Sequence, residues 1–267
     1  LIRERGICMV LRSIWTGRSA MNAQQQKLDS ISNNIANVNT VGYKKEEVSF
    51  QDLVYDSLKR KGYPTNDNQN TILNGTGVKA GNWIRDIEQG NLRSTDSKTD
   101  FAIDGEGYFR VTLPDGSKGY ERAGSFNIDS NGELVDKSGN RLDIEFTEDG
   151  QNLLSEGVGF TNDNFSVKED GEIYLNHNND SVHYGKINLY SPVSQEALNS
   201  IGQNLYVLKQ GAQMNGTTKA NILQGFVEDS NVDVGKELTE MIVAQRAFEM
   251  GSRALKTGDE MWGMINN

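Results

Sequence analysis

The chain has 267 residues, with 27 Lys plus Arg against 37 Asp plus Glu and a formal charge of −10 at pH 7. At roughly 150 residues per domain the length allows one or two domains with a buried core, and an acidic chain without a basic block offers no footprint for nucleic-acid phosphates. One cysteine excludes an intrachain disulfide, two histidines exclude a histidine-rich metal centre, and 28 Gly against three Pro imply many turns but few stiff ones.

At the N-terminus Met9 can serve as a start, which would make residues 1–8 an upstream extension and leave Cys8 without a role. No stretch nears the roughly 20 apolar residues of a membrane helix, so direct membrane insertion is not expected. The first residues also lack the apolar centre and small-residue cleavage site of a secretory signal. Passage out of the cytoplasm would therefore use an unconventional route.

Between Val10 and Asn39 there is no Pro, and Ile14, Met21, Leu28 and Ile35 recur every seven residues, with Ile31 and Val38 filling the seam. This spacing predicts a long amphipathic helix with a narrow apolar stripe, placed within residues 9–43. Its Gln24, Gln25, Gln26, Asn33, Asn34 and Asn37 are amides where a solvent face would carry charges, a face suited to meeting other protein. Residues 44–83 read as an extended connector, the polar stretch from Lys59 to Gly81, with Pro64, forming an extended run or a loose hairpin.

From residue 84 to 228 the pattern changes to short alternating runs separated by turn pairs: Asp115-Gly116, Asn131-Gly132, Asp149-Gly150 and Asp170-Gly171. Asp-Gly and Asn-Gly supply the positive φ of hairpin turns, so this zone reads as an antiparallel β domain. Residues 229–267 return to helix. Val234, Met241, Phe248, Leu255 and Trp262 recur every seven, joined by Leu238, Ile242 and Ile265, beside a small stripe of Ala244, Ala247, Gly251, Ala254 and Gly258. Asp233 is placed to cap this helix, with Glu237 and Glu240 near its positive end. The fold class is mixed and mainly β, with terminal helices whose seams suit pairing as a coiled coil. The alternative is two ordinary amphipathic helices docked on a globular core, but about 30 residues each, or roughly 45 Å, is long for that role.

Constellations that could carry chemistry are weak. Gly105-Glu106-Gly107 lacks a third Gly and the lysine of a phosphate loop, and reads as a tight turn. Asp129, Asn131 and Glu133 open like a calcium loop, but Val135 and Lys137 stand where ligands belong. His177 and His183 read as solvated loop histidines, and the acid pairs Asp143 with Glu145 and Glu148 with Asp149 as chance neighbours on an acidic chain. No catalytic, metal or cofactor site is expected.

One motif is more specific. Asn34-Ile35-Ala36-Asn37-Val38-Asn39-Thr40-Val41-Gly42-Tyr43-Lys44 resembles the N-terminal signature of bacterial flagellar rod and hook proteins. Asn39 stands where that signature often has Ser. Its mechanics are those of a helix stop: an Asn-rich turn, a Gly suited to positive φ, and an aromatic side chain that pins the exit. Ala20 to Gln25 is similar to the preceding helix of that family, and Phe50 to Leu53 with Gly75 to Val78 is similar to the connector of its distal rod branch. Glu228-Asp229-Ser230-Asn231-Val232, then Met241, Ile242, Gln245, Arg246, Phe248 and Glu249, resemble its C-terminal helix, with Phe248 where Tyr is frequent.

The resemblance implies a non-enzymatic subunit of the basal-body rod whose helices form an inner layer of a tube, with the β domain outside. It implies partners: further copies of the chain, neighbouring rod and hook subunits, the surrounding ring or bushing proteins, and the flagellar export apparatus. It places the chain in the basal body, with proximal rod or hook-type members as the alternative. Two rivals of other classes remain open at this stage. A glycan-binding fibre would need an exposed aromatic cluster, with Trp83 and Tyr184 as candidates, and a secreted carbohydrate-active enzyme would need a working carboxylate pair. Neither needs two terminal heptad helices.

Overall fold

The computed structural model describes residues 2–53, 55–57, 73–177, 180–194, 197–217 and 219–266, with the backbone alone for 2–10, 55–57, 73–74 and 265–266. The side chains of Cys8 and Ile265, and residues 58–72 of the expected connector with Pro64, lie outside that description. Three helices occur among these residues: α1 (Ile2–Ala36), α2 (Glu148–Ser155) and α3 (Val234–Asn266). The chain divides into two compact units, one of Leu1–Ala36, Glu46–Asp86 and Asp233–Asn267, the other of Asn37–Lys45 and Ile87–Val232.

In unit 1, α1 of 35 residues and α3 of 33 residues pack side by side. Contacts fix them as antiparallel. Ile14 lies over Gly258, Met21 over Gly251, and the Lys27 ammonium sits 3.2 Å from the Glu240 carboxylate. The small stripe of α3 is what lets the backbones approach. A Cβ on Gly251 would stand 2.8 Å from Met21 Cγ, and one on Gly258 would stand 2.9 Å from Ile14 Cγ1. From the other side Gly17 of α1 receives Leu255, and Ala23 and Ala244 are buried. Bulky side chains of each helix thus enter gaps left by small residues of the other. The start of α3 is capped as its sequence predicts, with Asp233 Oδ1 accepting from the Gly235 and Lys236 amides at 2.9 and 3.2 Å.

The expected extended connector contains an antiparallel ribbon, Glu46–Asp52 with Val78–Arg85, bulged between Val48 and Phe50. Between its strands Tyr55–Ser57 pairs antiparallel with Leu73–Gly75, so the chain returns over a long interval and no two-residue turn signal announces the pairing. The ribbon buries Val48 and is bonded to α1: Ser30 Oγ donates to the Glu46 carbonyl at 2.5 Å, and the Val78 amide donates to Ser19 Oγ at 3.4 Å.

Unit 2 is antiparallel β structure. A nine-stranded sheet carries Tyr108–Thr112 near its middle, between Lys118–Glu121 and Arg141–Leu142; Ile144–Phe146, Asp180–Ile187, Glu172–His177 and Phe165–Val167 form a four-stranded sheet. Alternation along the strands sorts the side chains. Phe109, Val111, Ile173 and Leu175 enter the main core with Phe101, Phe126 and Tyr184, whereas Tyr108, Tyr120 and Tyr206 form a second cluster. The Phe109–Phe126 and Phe160–Tyr184 rings meet edge to face at 5.7 and 4.9 Å.

One expected hairpin turn is a helix. Asp149-Gly150 lies in α2, because Thr147 accepts from the Gly150 amide and Glu148 and Asp149 occupy the electropositive first turn. Gly150 is there for closeness, since a Cβ would strike the Tyr184 carbonyl. His177 and His183 likewise stand on strands, where pairing across the hairpin stacks His183 on Tyr174 at 5.3 Å.

Candidate functional site

The terminal helices hold most of the residues singled out from the sequence. Ile31 is buried, and Ile14, Met21, Leu28, Ile35, Met241, Phe248, Leu255 and Trp262 are half-buried; Val38 is half-buried in unit 2. The bulky stripe of α3 does not all face one way. Val234, Leu238 and Ile242 are exposed, Ile242 by 60%. Ala244 defines the face turned to α1, and at 100° per residue Ile242 lies on the far side from it. A second apolar stripe that the heptad reading missed consists of Val243, Met250, Met261 and Met264, all exposed, with Met250 at 64%. On α1, Leu11 and Trp15 are also exposed, and the Arg18 guanidinium lies 5.8 Å from the Trp15 ring centroid.

The signature motif does two separate jobs. Asn34, buried in unit 1, uses both donors and the acceptor of its carboxamide: Oδ1 accepts from the Glu46 amide at 3.0 Å, while Nδ2 donates to the Glu46 carbonyl at 3.0 Å and to Glu237 Oε2 at 3.1 Å. One side chain thereby joins α1, the ribbon and α3. An aspartate would lack the donors, and a leucine would remove all three bonds at once.

From Asn37 onward the motif belongs to unit 2. Ala36 is exposed at the helix end, and α1 stops there because Asn37 and Thr40 close a turn: the Thr40 amide donates to the Asn37 carbonyl at 3.0 Å and the Tyr43 amide to the Thr40 carbonyl at 3.2 Å. Gly42 has φ +69°, and a Cβ there would stand 2.5 Å from the Ala123 nitrogen. Tyr43 is buried, as its role in pinning the exit requires.

Lys44 ends the motif in a buried charge cluster. Lys44, Glu228 and Arg122 are only 3%, 1% and 4% exposed. Lys44 Nζ lies 2.5 Å from Glu228 Oε1, and Arg122 Nε lies 2.5 Å from Glu228 Oε2. Oε1 also accepts from the Gly90 amide at 2.8 Å, and the Glu228 carbonyl accepts from the Gly42 amide at 2.8 Å. Both cations that meet the Glu228 carboxylate also donate to backbone carbonyls. Arg122 donates to Gly107, Ile103 and Gly105 at 2.6, 3.0 and 2.7 Å, and Lys44 donates to Glu88 at 2.6 Å. Buried ions are tolerated only with such complete pairing. The Gly105-Glu106-Gly107 segment is thus a turn whose carbonyls serve a guanidinium. Arg122 falls in no sequence motif and was not singled out. It follows the strand Lys118–Glu121 in a bend, a place where an arginine ordinarily reads as solvent-facing.

A second buried acid stands apart. Glu121 is 3% exposed on the strand beside Phe109, and its Oε1 has no hydrogen-bond partner. Burial first, and then Asp136, push its carboxyl up from 4.5 to about 8. The rival chemistries find little support. Trp83 is exposed on the unit 1 ribbon, whereas Tyr184 is in the unit 2 core. Asp143 is paired with Arg110 and with Lys118 at 3.1 Å, and Glu145 accepts from Asn188 at 2.6 Å. The residues 129–133 close a hairpin turn, with Gly132 at φ +74°.

Comparison with known proteins matches three family models along the chain: "Flagella basal body rod protein" at residues 14–44, "Flagellar hook protein FlgE/F/G D1 domain" at 102–175 and "Flagellar basal body rod FlgEFG protein C-terminal" at 223–267. The flagellar basal-body rod protein FlgG of Borreliella burgdorferi is 36% identical over 271 residues, covering 97% of this chain and 98% of its own. The FlgG of Caulobacter vibrioides is 36% identical over 266 residues, covering 94% of this chain and 97% of its own. The flagellar hook-basal body complex protein FlhP of Bacillus subtilis is 28% identical over 274 residues, covering 97% of this chain and 99% of its own.

Proposed function

This chain belongs to the flagellar basal-body rod protein FlgG family, and on that premise we propose that its paired terminal helices polymerise it into the tube of the distal rod. It is a structural rod subunit of the basal body, in a family that is not an enzyme family, and it assembles with copies of itself and with neighbouring rod and hook subunits. The tube carries torque from motor to hook.

The observation that carries the reading is that α1 covers one face of α3 while Val243, Met250, Met261 and Met264 stay exposed on another. A neighbouring subunit covers that stripe, completing the coiled-coil layer through head-to-tail contacts that do not close into a ring. At about 25 cal/mol per Å², a few hundred Å² of apolar area per contact contributes several kcal/mol before ordering is subtracted. Many such contacts add along a tube. In this reading the assembly layer is built on Ile14, Met21, Leu28, Ile31, Ile35, Val38, Met241, Phe248, Leu255 and Trp262, with the exposed stripe as the face that meets the neighbour, and the functional division is helix 9–43, connector 44–83, β domain 84–228 and helix 229–267. The β domain meets the surrounding ring proteins, and the subunit leaves the cytoplasm through the flagellar export apparatus without a cleaved signal. Identity to FlgG relatives along nearly the whole chain favours the distal rod over proximal rod and hook-type relatives.

Deletion of Glu237 to Asn267 tests the proposal in cells lacking the native copy. The truncated chain is expected to remain soluble while rods stop short and motility is lost. Normal rods and swimming with the truncated chain would overturn it.

A further inference from the structure

Two stretches connect unit 2 to the helices along the chain: residues 37–45, which follow α1, and residues 228–232, which begin at the last residue of the strand Phe226–Glu228 and precede α3. Lys44 and Glu228 are 184 positions apart in sequence, yet the two stretches are tied to one another at three successive points. The Gly42 amide donates to the Glu228 carbonyl, Lys44 Nζ meets the Glu228 carboxylate, and the Lys45 amide donates to Asn231 Oδ1 at 2.7 Å. Asn231 Nδ2 then donates to the Glu88 carbonyl at 3.1 Å, the same carbonyl that receives Lys44 Nζ.

A chain connection does not by itself call for buried ions. Apolar side chains of similar volume would hold it without desolvating three charges. An ion cluster is directional, however. It is satisfied in one arrangement, and sliding either stretch by a residue would leave a carboxylate or an ammonium buried without its counter-charge, which is far more costly than a shifted apolar contact. Arg122 extends the same constraint into the sheet, because its guanidinium joins Glu228 to the carbonyls of Ile103, Gly105 and Gly107.

We infer that Glu228, with Lys44 and Arg122, is a lock that binds the two connecting stretches to each other and to the β structure of unit 2, so that they move with it as one body rather than as two independent tethers. For its consequence alone the inference rests on the rod reading: a subunit under torque gains from connections that cannot slip.

Hydrogen exchange followed by mass spectrometry on the full-length monomer tests the lock in two variants. Glu228→Gln keeps the shape but removes the charge and puts a donor NH2 where one acceptor oxygen stood; Lys44→Met keeps the aliphatic stem and leaves the Glu228–Arg122 pair. The expected result is at least tenfold faster exchange in peptides covering 37–45 and 228–232, with strands 108–112 and 172–177 protected as in the parent. Unchanged exchange at both stretches overturns the inference. So does faster exchange spread evenly over unit 2, which would make the cluster an ordinary part of the core. If Glu228→Gln does not fold, Lys44→Met decides by the same criteria, and failure of both to fold also overturns it. The readout does not involve rod assembly, so it separates failure of the lock from failure of the rod reading.

Discussion

Glu121 and Gly42 show how much depends on single positions. The raised Glu121 carboxyl binds a proton on folding, so its contribution is fully present below pH 4.5, falls as the pH rises towards about 8, and is constant beyond. A shift of this size corresponds to about 5 kcal/mol across the window. Glu121→Gln removes that titration: denaturant unfolding is expected to find the variant close to the parent at pH 4.5 and more stable by several kcal/mol at pH 8. A parallel pair of profiles would show that Glu121 is not the group responsible. At Gly42 a side chain is disfavoured twice, by φ +69° and by the 2.5 and 2.7 Å approach to Ala123 N and Cα. Gly42→Ala should destabilise unit 2 by about 2 kcal/mol, seen as a lower thermal midpoint. The need for Gly at 42 was legible in the motif, because a helix stop followed by an aromatic residue calls for a left-handed position. Glu121 and Arg122 were not legible. A charged residue at the end of a strand or in the bend after it reads as outward-facing, and only the packing around it shows otherwise.

Helical elements were readable in type and imperfectly readable in facing. Heptads located α1 and α3, and the Gly and Ala stripe foretold a close approach, which the Ile14–Gly258 and Met21–Gly251 contacts realise. The same glycines give a prediction with opposite signs. Gly251→Ala should loosen the helix pair by about 1 kcal/mol, since its Cβ would meet Met21 Cγ at 2.8 Å. Gly263, with nothing within 4 Å of an added Cβ, should stabilise α3 by about 0.5–1 kcal/mol when changed to Ala. Circular dichroism melts of the two variants should move in opposite directions. Strands were less legible than helices. The 46–52 and 78–85 ribbon pairs across an interval no local signal spans, and α2 replaced a turn because Thr147 and two acids made a better helix start than Asp-Gly made a hairpin.

At the level of the whole molecule, a net charge of −10 coexists with an exposed methionine-rich stripe on α3. Charge keeps free subunits apart, while an apolar stripe of this kind marks a surface that a partner covers. Sedimentation velocity should therefore show self-association that grows with protein concentration and with salt, as screening weakens the repulsion. Met250→Glu should abolish it without lowering the melting temperature, because Met250 is 64% exposed in the single chain. Sequence by itself determined the class of the protein: periodicity of seven at both ends, turn pairs between, and a signature whose Asn, Gly and Tyr have separate mechanical roles. Those are short-range properties, written in spacing along the chain. The tertiary structure alone decided which face of α3 meets α1, that Asn34 joins three segments, and that Lys44 meets Glu228 and Arg122 in a buried cluster. These pairings join residues far apart in the chain, and the low dielectric of a packed interior, which makes an unpaired charge so costly, exists only once the chain has folded.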